Sequence, residues 1–199
     1  QELPTAVEID DQEVPINTDF RDCLRAILAF EDGELTATEK RLVLLAALYP
    51  SPPPDLASAF DLGVQFLNGG ENPEPDEKPG LRLYSFAQDS GYIFAAFRQT
   101  HGIDLQKIDY MHWWAFLALF SDLGQDTAFC QLVALRKRVK TGRASKWERQ
   151  MYQELGETAR LDEPDTRTAD ERARAGEFYK LVEEGKRKRA EASAQAPSG

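Results

Sequence analysis

The chain has 199 residues and a formal net charge of −10, a balance that argues against a surface gripping nucleic acid or anionic lipid over its whole extent. Hydrophobic residues make up 42% and charged residues 29%, which supports a real core and excludes wholesale disorder. The two cysteines, Cys23 and Cys130, lie far apart in apolar helical patterns, and the acidic N-terminus lacks a signal-like apolar segment, so a reducing cytosol is expected.

Residues 3–17 alternate Ala6/Glu8 against Val7/Ile9, turn at Asp10-Asp11-Gln12 and return through a second short apolar run, a β-hairpin pattern. Two strands alone are marginal, so the hairpin must lean on helices. Thr18 or Asp19 caps a first helix with Phe20, Cys23, Leu24, Ile27 and Leu28 on one side, ending near Gly33. Thr36 with Glu39 makes a capping box for a second helix, whose stripe is Leu42, Leu45, Ala46 and Tyr49 and whose stop is Pro50. Pro54 is expected in the first turn of a third helix with Leu56, Ala59, Phe60, Phe66 and Leu67 on its apolar side. Residues 68–80, rich in glycine, proline and acid, read as an exposed loop.

Ser85 with Gln88 forms another capping box, opening a helix with Tyr92, Ile93, Ala96 and Phe97 that closes at Gly102. Gly91 within it points to a close helix contact. Asp104 or Asp109 starts an aromatic helix ending near Gly124, and Asp126 caps the next, with Phe129, Leu132, Val133 and Arg136 on successive turns. Ser145 with Glu148 caps a short helix bearing Trp147, Met151 and Leu155 at i, i+4, i+8. After Pro164, Thr168 with Glu171 caps a charged C-terminal helix whose large apolar groups are Phe178, Tyr179, Leu181 and Val182, and residues 192–199 are expected to be disordered. The expectation is a mainly α fold. A domain at 1–162 holds about five to seven helices and a short N-terminal β-hairpin, followed by a charged helical extension with a disordered tail at 163–199.

Residues 111–120 read Met-His-Trp-Trp-Ala-Phe-Leu-Ala-Leu-Phe, with His112 as the single polar side chain. As a helix this is a rod of roughly 15 Å, short of the roughly 20 apolar residues that a bilayer span needs. A helix apolar all round belongs inside something, so it is either the central post of a helical domain or a rod with one face held open for a partner. The amphipathic stripes of its neighbours favour the post. Trp113 and Trp114 diverge by about 100° around the axis, which places any contact site at one edge of the rod.

Chemistry finds little to work with. The two histidines, His101 and His112, have no second histidine or cysteine at metal-ligand spacing, and His101 before Gly102 reads as a helix-end group. A Cys130, His112, Asp109 constellation can be written, but a cysteine on an apolar helix side is usually inert. There is no phosphate loop, and the acidic pairs Asp10-Asp11, Glu31-Asp32 and Glu183-Glu184 read as solvated. No catalytic, cofactor or metal residue is assigned. Between Arg136 and Arg149 seven basic residues face one acid, while the first forty residues hold eleven acids and three bases. With Trp147 inside it, the basic island could stack a single-stranded nucleic acid, but a solvated helix end and loop is the favoured reading and nucleic acid is not expected as a partner. A third reading is a head-to-tail contact with the acidic part of another copy.

Four stretches in fixed order resemble the bacteriophage gene-product-fifteen family of small tail-module proteins, over residues 3–162. They are Pro15-Ile16-Asn17-Thr18-Asp19-Phe20-Arg21, Gly102-Ile103-Asp104-Leu105, Met111-His112-Trp113-Trp114-Ala115-Phe116, and Asp126-Thr127-Ala128-Phe129-Cys130 through Leu135-Arg136. The positions that carry the motif are Pro15, Asn17, Asp19, Phe20, Arg21, His112, Trp113, Trp114, Phe116, Thr127, Phe129 and Arg136. The resemblance implies a non-enzymatic protein encoded near a tape-measure gene, where tail assembly chaperones are found, acting in the host cell cytoplasm without a cofactor. Its partners would be the tape-measure protein and the tail-tube protein, with homo-oligomers also expected. Trp113, Trp114, Phe116, Phe120, Arg136 and Trp147 are the side chains expected to meet a partner. The alternative is a structural virion component, a tail-completion or connector subunit. This chain departs from the family in Ala115 where lysine is common, in an enlarged acidic loop at 69–80, and in the extension after Asp162.

Overall fold

Two aspartates close the first element. Asp10 and Asp11 both adopt positive φ, 51° and 58°, between β1 (Ala6–Ile9) and β2 (Gln12–Pro15). Positive φ at both central residues matches the twist of an antiparallel pair, and aspartate is among the few side chains that enter this region readily. The register sets Val7 against Val14 and Glu8 against Glu13. In this computed structural model residues 3–71 and 80–162 are described. Among them seven α-helices follow the hairpin: α1 (Phe20–Glu31), α2 (Ala37–Leu48), α3 (Leu56–Leu67), α4 (Ser90–His101), α5 (Trp113–Ser121), α6 (Ala128–Lys140) and α7 (Lys146–Leu155). One compact unit spans Gln1–Pro164. The charged helix and tail expected after Pro164 fall outside the described residues. No described helix is long and apolar enough to cross a membrane.

Local signals start three of these helices, α1, α2 and α7, as expected. Asp19 caps α1 through the amide of Arg21 (2.9 Å), and complete capping boxes open α2 at Thr36/Glu39 and α7 at Ser145/Glu148. Elsewhere tertiary bonds move the boundary. Ser85 does accept from the amide of Gln88 (3.2 Å), but the turn it caps stays outside the helix because Glu31 takes the amides of Phe86 (3.1 Å) and Ala87 (3.2 Å). Glu31 is therefore a bonded group and not a solvated one, and α4 begins at Ser90. Asp104 caps only an isolated turn, through the amide of Gln106, and α5 waits for His112. Thr127, not Asp126, caps α6, while Asp126 accepts from Gln99. Pro54 precedes the cap of α3, which is Asp55.

Packing also corrects the apolar stripes. Residues 42–48 of α2 are apolar on every side, so periodicity could not phase them. Leu44 and Leu48 enter the core, whereas Leu42 is 58% exposed. On α3, Ala59, Gly63, Phe66 and Leu67 face inward and Leu56 faces out. The close helix approach expected at Gly91 is absent there, where the surrounding space is open. It occurs at Gly63, where a Cβ would come within 2.9 Å of Leu44 Cδ2.

Phe116 of α5 is the hub of the core. Its ring stacks on Phe20 of α1 (5.2 Å), Phe97 of α4 (5.1 Å) and Trp113 (5.3 Å). Phe120 continues the column to Phe129 of α6 at 5.5 Å. The aromatic stretch is thus a central post for α1, α4 and α6. Two helices lean on others, α2 on α1 and α3, and α7 on α6.

Candidate functional site

The motif residues near the start and those of the aromatic stretch meet at one junction. Asp19 and His112 form an isolated antiparallel bridge. Through it the first amide of α1, Phe20 N, donates to Met111 O (3.0 Å), and the first amide of α5, Trp113 N, donates to Thr18 O (2.7 Å). Each helix start thereby satisfies an otherwise orphan donor of the other. Arg21 pairs with Asp19 (3.1 Å) and donates to the carbonyls of Ile108 and Asp109. Thr18 and the Tyr110 hydroxyl share a bond of 2.7 Å, and Asn17 donates through its backbone N–H to Leu48 O (2.6 Å) and through its side chain to Ala47 O (2.8 Å), closing the end of α2. His112 is buried. Its Nδ1 accepts from Trp114 N (3.0 Å), so its Nε2 carries the proton and donates to Pro4 O (2.9 Å), tying the hairpin to α5.

Both tryptophans serve one purpose. Trp113 Nε1 donates to Leu67 O and Trp114 Nε1 to Phe66 O, each at 2.9 Å. Successive indoles thus cap the last carbonyls of α3, groups that a helix cannot pair within itself. Trp114 also lies over Gly70, whose φ of +91° and whose missing Cβ, which would fall 2.9 Å from the ring, make room for it.

Arg136 sits in a second cluster. It is 1% exposed and forms a bidentate pair with Asp89 at 2.6 and 2.9 Å. Its remaining donors reach Ala159 O (2.8 Å), Leu83 O (3.1 Å) and Thr158 O (2.9 Å), so all five guanidinium protons have acceptors. This clasp joins α6, the start of α4, residue 83 and the turn after α7.

Of the six side chains expected to touch a partner, Trp113, Phe116 and Arg136 are thus interior groups in the folded chain, with exposures of about 1%. Their apolar or charged surface is already consumed by rings, carbonyls and Asp89. Trp114 and Phe120 are half-buried, and Trp147 is 67% exposed. The basic island is thinned as well: Arg136 is paired with Asp89, Arg138 with Glu148 (2.6 Å), and Lys140 donates to Arg82 O (2.8 Å). Sequence reasoning missed two outward features. One is the groove between α2 and α3, about 300 Å³, lined by Leu42, Leu45, Leu56 and Phe60. Its signal was present as more leucines on α2 than one face can bury. The other is a larger groove of about 560 Å³ beside Trp113 and Leu117, bordered by Leu81 to Tyr84.

Cys130, His112 and Asp109 do not come together as a reacting set. Cys130 Sγ faces Leu123 O (3.5 Å), His112 is spent on its two backbone bonds, and Asp109 offers its carbonyl to Arg21. His101 bonds Leu119 O of α5 (2.9 Å) and does not close its own helix end. Burial, with Asp22 and Asp19 nearby, pushes the Cys23 thiol far above the ordinary range, which leaves it unreactive. No group of three or more His, Cys, Asp or Glu that could hold a metal occurs among the described residues.

No curated protein and no solved structure matches the chain. A family model does, described as Bacteriophage Gp15 protein and matching residues 1–161, a span that contains both the bridged helix starts and the Arg136 clasp. The chain belongs to the bacteriophage Gp15 protein family.

Proposed function

We propose that the protein acts without chemistry of its own in phage tail assembly, as a chaperone that binds the tape-measure protein while the tail tube forms in the host cytoplasm. Membership of the Gp15 family supports a phage structural or morphogenesis protein. The observation that favours a chaperone is the groove between α2 and α3. Leu42 and Leu56 stand 58% and 55% exposed at its edges, Leu45 and Phe60 line it, and Arg41 lies over the Phe60 ring at 4.5 Å. An apolar stripe on a client helix fits such a groove through anchors at i, i+3 or i+4, and i+7. The contact is therefore moved from the buried core rings to Leu42, Leu45, Leu56 and Phe60, with Trp114 as a half-buried edge.

Co-expression with the tape-measure protein tests this. The client should become soluble and co-purify, and Leu42→Asp with Leu56→Asp should cut the soluble client by about tenfold or more, the equivalent of losing at least one buried anchor. A client indifferent to both substitutions overturns the groove. A stoichiometric band of this chain in mature particles overturns the chaperone in favour of a structural virion subunit.

A further inference from the structure

The hairpin breaks a local rule. Glu8 and Glu13 stand directly opposite one another across β1 and β2, where like charges destabilise the pair. Asp10 and Asp11 occupy the turn between them, so four exposed carboxylates fall within residues 8–13. None of the four makes an ion pair among the described residues. A two-stranded hairpin has little stability to spare, and a sequence tolerates such a conflict where something outside the local structure offsets it.

A surface of the opposite sign lies at the elbow between α6 and α7. Lys137, Arg143 and Lys146 are exposed and without ion pairs among the described residues. The Arg138–Glu148 pair ties the first turn of α7 to α6, and beside it stands Trp147, the most exposed large apolar side chain described, at 67%. Further along α7, Met151 and Leu155 line a cavity of about 210 Å³ together with Tyr92, Leu132 and Leu135.

We infer that copies of this chain associate head to tail, the acidic hairpin of one docking on the Trp147 elbow of the next. The two charged sets complement each other, and neither is neutralised by an ion pair among the described residues. An exposed tryptophan next to Lys146 in an elbow that also carries Lys137 and Arg143 offers an apolar centre that excludes water and charges that set orientation. Because the two surfaces belong to different elements, each copy uses each surface once, and the contact propagates into a ring or filament. The inference does not depend on the α2/α3 groove or on any client.

Sedimentation of the full chain tests it. At low salt, species larger than the 22.4 kDa monomer form and grow with concentration. They dissociate between about 0.05 and about 0.5 M salt, as the screening length falls from roughly 14 to roughly 4 Å. Trp147→Ala is monomeric. Glu8→Lys with Glu13→Lys, and separately Arg143→Glu with Lys146→Glu, each leave a folded monomer by circular dichroism, since the first keeps a like-charge pair and the second changes exposed side chains. Mixing the two variants restores a one-to-one complex, because the unaltered acidic hairpin of the elbow variant meets the unaltered basic elbow of the hairpin variant. A chain that stays monomeric at every concentration, or assembly that survives both swaps, overturns the inference. So does quenching of Trp147 by a single-stranded oligonucleotide with no self-association, which assigns the elbow to nucleic acid.

Discussion

Asp19 and His112, each the N-cap of a helix, face one another in an antiparallel bridge. The bridge couples the start of α1 to the start of α5, and His112 extends it to the hairpin through Pro4. Three elements distant in sequence are therefore held by backbone amides and one imidazole, directly above the stacked rings of Phe20 and Phe116. The residues that carry the sequence resemblance, Asp19 and His112 among them, here join chain segments.

Removing either cap tests that junction. His112→Ala loses the acceptor for Trp114 N and the donor to Pro4 O, and should cost about 2 kcal/mol in denaturant unfolding, while His112→Asn, which can still cap, should cost about half as much. Asp19→Ala should cost about 1 kcal/mol. Because the two caps share a bridge, the double variant should deviate from additivity by about 0.5 kcal/mol or more. Strict additivity would mean the two helix starts are independent.

Arg136 makes the strongest stability claim. Its guanidinium is buried with five acceptors around it, so Arg136→Met leaves Asp89 as an unpaired buried charge and strands three carbonyls. A loss of about 3–5 kcal/mol is expected. Arg136→Lys should rescue little, because an ammonium has three donors and no fork. Arg136→Met with Asp89→Leu should be less destabilised than Arg136→Met alone, and a midpoint that does not recover would show that the carbonyls, not the carboxylate, dominate.

Helix number, the hairpin and the capping boxes at Thr36 and Ser145 were legible because each is written within a few adjacent residues. Arg136 was legible as a member of a basic run and as a position on the apolar side of α6, but not as a buried clasp. Its acceptors at residues 83, 89, 158 and 159 are scattered, so its place on the apolar side of α6 could not name its partners. Likewise, two neighbouring tryptophans diverge around a helix, so their shared target at the end of α3 depends on how α3 is placed. The groove at Leu42 and Leu56 was hidden by an abundance of leucine on α2, where the period could not say which side was buried.

Stability should fall at both ends of the pH scale for identifiable reasons. Asp55 lies below its ordinary value because the Ser58 hydroxyl and amide bond its charged form, and Glu148 does so because of the Ser145 amide and hydroxyl. A depressed folded value contributes stability that is present above the ordinary carboxylate range and disappears as pH falls through the folded value. Asp55→Asn and Glu148→Gln should therefore flatten the acid limb of an unfolding titration. Burial pushes Tyr49, whose hydroxyl donates to Ala59 O (2.7 Å), up to about 12 from 10.0. That contribution is complete below the unfolded value and is lost as pH rises through the folded one. Tyr49→Phe should lower stability at neutral pH by about 1 kcal/mol and flatten the alkaline limb. An unchanged alkaline limb would show that another group governs it.

The tryptophan pair separates fold from contact. Trp113→Phe and Trp114→Phe keep an aromatic ring but lose the indole donor. Leu67 O loses its bond from Trp113 while Phe66 O keeps the Gly69 amide (3.1 Å), so the first should cost about 1 kcal/mol and the second less. Trp114→Ala removes the ring over Gly70 as well and should cost about 3 kcal/mol without abolishing folding, since Trp114 is only half-buried. Gly70→Ala should itself be destabilising by about 1–2 kcal/mol, from strain at φ +91° and from the clash with the indole. In the Trp114→Ala background the clash is gone and only the strain remains, so the two changes together should cost less than their sum. If Gly70→Ala is as harmful without the indole as with it, backbone conformation alone explains that glycine, and Trp114 is held by Phe66 and its carbonyl bond rather than by the space Gly70 leaves.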